Sequence, residues 1–219
     1  MDPLTHAMAG QMLADALPFA RRLGGKAPMA AALIAMAPDL DLLPAILAGF
    51  PPVHNGRFWE LFDRGLARRF HRGYTHSFFF AALASLPLGV LAWRWSGRRG
   101  RWLHWSLLAL LALYSHIVLD IVNPYGTRAW LPFSGARVAW GLLPLFNPSI
   151  MIMMGAVLLA NHVFRDIHAD PEKPPSGGWR GRLASFTGRW PDGGKIAWIG
   201  LGLVTARLLA TAWLGIWGF

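Results

Sequence analysis

Seven residues of this 219-residue chain carry side chains that bind hard metal ions: His6, Asp39, Asp41, His71, His76, His116 and Asp120. Each lies in or beside strongly apolar sequence, where an imidazole or carboxylate without a partner is costly, so the set calls for a common explanation. His116 and Asp120 are four apart, share one face of a helix and can chelate a single ion, and Asn123 extends that face by a turn. The run His71-Arg72-Gly73-Tyr74-Thr75-His76-Ser77 places two imidazoles five residues apart across a helix start, with Gly73 expected to make the turn and Thr75 to cap the helix. Pro38-Asp39-Leu40-Asp41 sets two carboxylates at a break between apolar segments. There, alternate residues can reach different ions, or one can bind metal while the other serves as general base.

Each motif also has an inert reading: an interhelical hydrogen bond for His116, water-facing histidines for His71 and His76, a solvated turn for the aspartates. The chain has no cysteine, which excludes disulfides, thiolate sites and cysteine nucleophiles. Imidazole and carboxylate donors suit zinc, with manganese or iron as alternatives. Seven such ligands exceed the needs of one tetrahedral zinc, so two or more ions are expected. Arg72 and Arg128 could hold an anionic group such as phosphate, and the run from Asn123 to Thr127 would shape the pocket. No G-x-S-x-G elbow is present, and Ser77 beside His76 is not read as a nucleophile.

The elements that position these residues belong to a membrane. The chain is 54% hydrophobic with 15% charged residues and a mean hydropathy of +0.36, whereas soluble domains are about a quarter charged. Its apolar residues fall in long runs. Asp2-Pro3 reads as an N-cap followed by proline in the first turn, with His6 just inside the helix. Two short apolar segments, to Phe19 and from Ala27 to Ala37, suit tilted or partial insertion. Arg57 to Arg72 reads as an amphipathic interfacial helix. Tyr74–Trp95 and Trp102–Val122 read as spans joined by a tight basic turn, an antiparallel hairpin. Residues 123–148, with four prolines, read as a structured loop. Ser149–Phe164 and Ile196–Phe219 read as further spans, and 165–195 as a polar mobile loop. The expected architecture is all-α: a polytopic bundle of about four to six membrane-inserted helices. Residues 1–164 form the metal-site unit, 165–195 the loop and 196–219 the final span. The first apolar stretch has the reverse of a signal peptide's charge order, so no cleaved leader is expected.

The formal charge of +10 gathers in the short connections, which marks topology and anionic lipid contact rather than nucleic-acid binding. Under the positive-inside rule the turns at 21–26 and 96–101 and the loop 165–195 face the cytoplasm. All seven candidate ligands then converge on the outer face. The five arginines of 57–72 run against this orientation, although co-facing of the ligands depends on helix alternation alone.

The motifs Thr5-His6-x-x-x-Gly10, Pro38-Asp39-Leu40-Asp41, His71-Arg72-Gly73-x-Thr75-His76-Ser77 and His116-x-x-x-Asp120-x-x-Asn123-x-Tyr125-Gly126-Thr127 resemble the YdjM-like family of membrane-bound metal-dependent hydrolases. The resemblance covers roughly residues 1–150, with the motifs in family order. That family is more distantly similar to the zinc-dependent phospholipase C and single-strand nuclease group. The resemblance implies a helical metal site and phosphoester hydrolysis; a site expected beside the bilayer makes a lipid or lipid-linked phosphoester the expected substrate, and the bacterial inner membrane is the expected location. Three rivals use the same residues: a metal transporter or sensor, a haem-bearing cytochrome, and a non-catalytic protein with a structural metal.

Overall fold

The computed structural model describes residues 2–43, 71–167 and 193–214. The described chain is all-helical and contains no strand, only an isolated bridge between Thr127 and Val138. Helix α1 spans Pro3–Ala16, α2 Pro18–Arg21 and α3 Ala27–Met36, followed by a 3-10 turn over Ala37–Leu42. A second 3-10 turn, Tyr74–His76, leads into α4, Phe78–Trp95, and α5 is Trp102–Val122. Helices α6 and α7 are Pro148–Ile167 and Gly193–Leu214. The expected interfacial helix over 57–70 lies outside the described residues, as do 168–192 of the polar loop and the last residues of the final segment.

Helix α1 starts where the sequence predicts. The Asp2 carboxylate accepts from Thr5 N at 2.9 Å and Thr5 Oγ1 at 2.6 Å, satisfying donors that a helix start leaves open. It stops earlier than predicted, at Leu17, which takes an extended conformation before Pro18. Ala9, Gly10, Met12, Ala14 and Ala16 are buried, so α1 packs through small residues against α3. At Gly10 a Cβ would lie 2.5 Å from the Ala31 carbonyl oxygen and 2.8 Å from Ala35 Cβ. Only glycine permits this approach, and it brings His6 down onto the end of α3.

Among the described residues two helices are long and apolar enough to cross a membrane: α4, with 18 residues and mean hydropathy 1.4, and α5, with 21 residues and 1.8. At 1.5 Å per residue the longer covers about 31 Å, close to the ~30 Å hydrocarbon layer. Phe79, Leu83, Leu86 and Leu91 form an exposed apolar face on α4, as expected where the surrounding solvent is lipid. The α4–α5 hairpin closes through the basic turn, where Trp93 Nε1 donates to Gly100 O at 3.0 Å and Trp105 Nε1 to Arg99 O at 2.7 Å. Helix α5 is the central element. It packs on α1, α3 and α4 on one side, and its Leu119 and Val122 join Met12, Met154 and Val204 of α1, α6 and α7 in a second cluster.

Residues 123–147 fold back over the end of α5 as an ordered cap. Trp140 N donates to Ile121 O at 2.7 Å, Leu142 N to Val122 O at 2.8 Å, and Phe78 N to Ala129 O at 3.0 Å. Ser77 Oγ donates to the Leu131 carbonyl. This cap locks the start of α4 to the end of α5. The two 3-10 turns and the N-terminal end of α1 meet at the same end of the molecule.

Candidate metal centre

Four elements converge on that end. His6 comes from the first turn of α1, Asp39 and Asp41 from the turn after α3, and His71 and His76 from the approach to α4. His116 and Asp120 come from the last two turns of α5. His6, His76, His116 and Asp120 are completely buried. All seven residues predicted from sequence are brought together, but they form two sets of different character joined through His76.

The inner set is Asp39, His76, His116 and Asp120, a group able to hold a metal ion. His76 Nε2 lies 3.4 Å from Asp120 Oδ2 and 3.5 Å from Asp39 Oδ1. His116 Nε2 lies 3.5 Å from Asp120 Oδ2 and 3.7 Å from Asp39 Oδ1. His6 stacks on His116 at 3.7 Å between ring centroids, with its Nε2 3.4 Å from Asp120 Oδ1. These separations suit shared ligation of one ion. Hydrogen bonds of this kind run at ~2.7–3.2 Å, whereas donors on a tetrahedral zinc with bonds of ~2.0–2.1 Å stand about 3.3–3.4 Å apart.

Nε2 of His6, His76 and His116 and Oδ2 of Asp39 have no hydrogen-bond partner among the described residues. A buried polar group left unsatisfied costs about 1–3 kcal/mol, and four would cancel much of a domain's net stability of about 5–15 kcal/mol. Charge points the same way. Asp120 is paired with the Arg72 guanidinium, whose Nη2 lies 3.2 Å from its Oδ1, while Asp39 and Asp41 lie against His76. With neutral imidazoles, three carboxylates and one guanidinium leave a formal −2, which a divalent cation balances.

The imidazoles are held by their other nitrogens. His116 Nδ1 lies 2.7 Å from the Ala35 carbonyl oxygen, which only accepts, so Nδ1 carries the proton and Nε2 the lone pair. His76 is fixed through Thr75. The single Thr75 hydroxyl proton goes to Asp41 Oδ2 at 2.7 Å, leaving Oγ1 to accept from His76 Nδ1–H at 2.9 Å. Metal-binding histidines are commonly oriented in this way.

The outer set is Asp41, His71 and His76, which could also gather round a cation. Here the polar atoms are already engaged. Asp41 Oδ1 accepts from His71 Nδ1 at 2.8 Å, and Oδ2 accepts from Thr75 Oγ1 and, at 3.2 Å, from Arg72 N. Burial would push the Asp41 carboxyl upward, but hydrogen bonds from His71 and His76 outweigh it and hold Asp41 well below the usual carboxylate range. Burial likewise opposes ionisation of Asp39, and its neighbours His76 and His116 overcome that to hold it low. For His76, burial favours the neutral ring, yet Asp39 and Asp41 hold the imidazole above the ordinary histidine value.

The residues predicted to meet substrate fall in two environments. Arg72 is buried, its Nη1 donating to Asn123 Oδ1 at 3.0 Å and Gly126 O at 3.2 Å. Asn123 also accepts from Tyr125 N and Gly126 N and donates to Asp120 Oδ1 at 3.3 Å. Thr127 Oγ1 reaches the carbonyls of Arg72 and His76. These three knit the cap to the ligands, whereas Arg128 is exposed at the rim.

Gly73 lies in the turn as expected, at φ −92° and ψ −126°, and the left-handed residue is its neighbour Arg72, at φ 61°. That conformation costs a non-glycine residue about 1–3 kcal/mol and aims the guanidinium inward at Asp120. Thr75 does not cap α4, whose N-cap is Ser77, because its hydroxyl is bound to Asp41. The Ala35 carbonyl was not anticipated, since any residue could supply it.

Fold and site define an all-helical protein with membrane-length helices and a buried histidine–aspartate cluster at one end. The chain belongs to the YdjM inner membrane protein family, the match covering residues 1–215. It is also similar to the uncharacterized protein YfhP of Bacillus subtilis (strain 168), at 30% identity over 158 residues, 69% of this chain and 43% of YfhP. The chain thus spans less than half the length of that curated relative. No solved structure matches it.

Proposed function

We propose that this protein is a polytopic, membrane-embedded, metal-dependent hydrolase that cleaves a phosphoester in a lipid or lipid-linked substrate at the outer face of the inner membrane. The convergence of partnerless Nε2 atoms and carboxylate oxygens at coordination spacing carries the reading. His76, His116, Asp39 and Asp120 hold one divalent ion, most suitably zinc, with His6 closing the site beneath Asp120. A divalent metal there supplies Lewis acidity and a more acidic water.

The chain's own groups do the rest. Asp39 is the more exposed of the two inner carboxylates and so the one positioned to take a proton from an attacking water. Asp41 and His71 orient His76 through Thr75. Arg72 neutralises Asp120 and fixes the cap, and exposed Arg128 meets the phosphate. Phosphoester chemistry is supported by exposed Arg128 next to the cap residues that hold the ligands, and a lipid substrate by the place of the site at the end of the membrane-length helices. Exposed Trp130, Phe133 and Trp140 on the cap suit the lipid headgroup layer.

The test is metal analysis of purified protein with a panel of phosphoesters and phospholipids, repeated on His116→Ala and His76→Ala. The expected result is metal and turnover in the wild type and loss of both in the variants. Bound metal without turnover on any substrate would favour a transporter, sensor or structural site.

A further inference from the structure

An apolar cavity of about 290 Å³ runs alongside the metal centre. At one end it is walled by Pro38, Tyr74 and Thr75, and further along by Ala84 and Leu88 of α4 and Leu113 of α5. Its polar end is walled by residues adjacent in the chain to the candidate ligands. Pro38 precedes Asp39, and Thr75 donates to Asp41 and precedes His76. Its apolar end descends the hairpin, since Ala81, Ala84 and Leu88 lie on one face of α4. From Phe78 to Leu88 the helix advances about 15 Å. Small side chains at Ala81 and Ala84 keep the channel open, while Phe80, packed edge-on against Tyr74 at 4.9 Å, forms its flank.

We propose that this cavity takes one alkyl chain of the lipid substrate, laid against α4 with its polar head at Thr75 and Asp39. The occupant follows from what adjoins each end. The flanking face of α4, with Phe79, Leu83 and Leu86 exposed, is suited to hydrocarbon, so an alkyl chain can enter from the side without crossing water. Hydroxyls occur only on Tyr74 and Thr75, so the head must end where the metal ligands begin. The substrate role rests on the phosphoester-hydrolase reading; the chain-binding role does not.

The probe is dodecyl phosphate carrying a diazirine at the chain terminus, photolysed with the full-length, metal-loaded protein in nanodiscs. Labelled residues are mapped by mass spectrometry. Label is expected at the lining residues Phe80, Ala84, Leu88 and Leu113, competed by unlabelled dodecyl phosphate and not by inorganic phosphate. Ala84→Phe fills the channel and should lower this labelling and raise KM for dodecyl-chain esters by about 10–200-fold. Leu83→Phe, on the outward face, should change neither, and Leu88→Trp serves as a second channel-filling variant if Ala84→Phe does not fold. Turnover of a water-soluble aryl phosphate should survive Ala84→Phe. Label spread evenly over Phe79, Leu83 and Leu86 and indifferent to Ala84→Phe would overturn the proposal. Equal loss of soluble and long-chain turnover in a folded variant would overturn the substrate role. Channel labelling with no cleavage of any phosphoester would uphold the chain site and remove the hydrolase reading instead.

Discussion

The inner and outer ligand sets share His76 and are built from the same residue types, yet their hydrogen bonding is opposite. Around Asp41 every carboxylate oxygen has a donor from His71, Thr75 or the Arg72 backbone. Around Asp39, His76 and His116, buried nitrogen and carboxylate atoms lie 3.5–3.7 Å apart, beyond ordinary hydrogen-bond range, and His76 Nε2, His116 Nε2 and Asp39 Oδ2 have no hydrogen-bond partner among the described residues. Proximity of histidine and aspartate therefore does not by itself define a metal site. What separates ligand from support is whether the acceptors are satisfied before any ion arrives.

This contrast can be broken or sharpened by mutation. The largest effect is expected from His116→Ala or Asp120→Asn, which remove an inner ligand and should abolish tight metal binding, measured as metal content after dialysis. Asp41→Asn should weaken metal affinity by about 10–100-fold without abolishing it, the usual cost of losing a group that orients a ligand. If Asp41→Asn strips the metal as completely as Asp120→Asn, the outer set contains a true ligand. His71→Ala should have a smaller effect still, because its ring is partly exposed and Thr75 continues to hold Asp41. The smallest effect concerns pH. His76 is held above the ordinary histidine value by Asp39 and Asp41, and a protonated ring cannot ligate. Metal affinity in titrations should therefore begin to fall as pH drops through a range above the usual histidine pKa, with proton release on binding.

The convergence of the seven residues was legible in the sequence because it needs only helix alternation. The histidines and aspartates sit at alternate ends of successive apolar segments, and the helix starts at Pro3 and Trp102 fall where caps and basic turns predicted. The hairpin and the ordered cap after α5 were legible for the same reason. The division into two sets was not. It turns on which nitrogen of each ring faces inward, which is set by the Ala35 carbonyl and the Thr75 hydroxyl across elements distant in sequence. Nor was the left-handed Arg72 legible, since its neighbour Gly73 is the residue chemistry would nominate. The alkyl channel has no sequence signature because alanines on an apolar helix are unremarkable until the packing leaves space beside them.

The most direct test of the central claim is metal content per chain of purified protein, compared between wild type, His71→Ala and His116→Ala. One divalent ion is expected in the wild type, with retention in His71→Ala and loss in His116→Ala. A folded wild type that binds no divalent ion, or an ion that leaves with His71 and survives loss of His116, would contradict the claim.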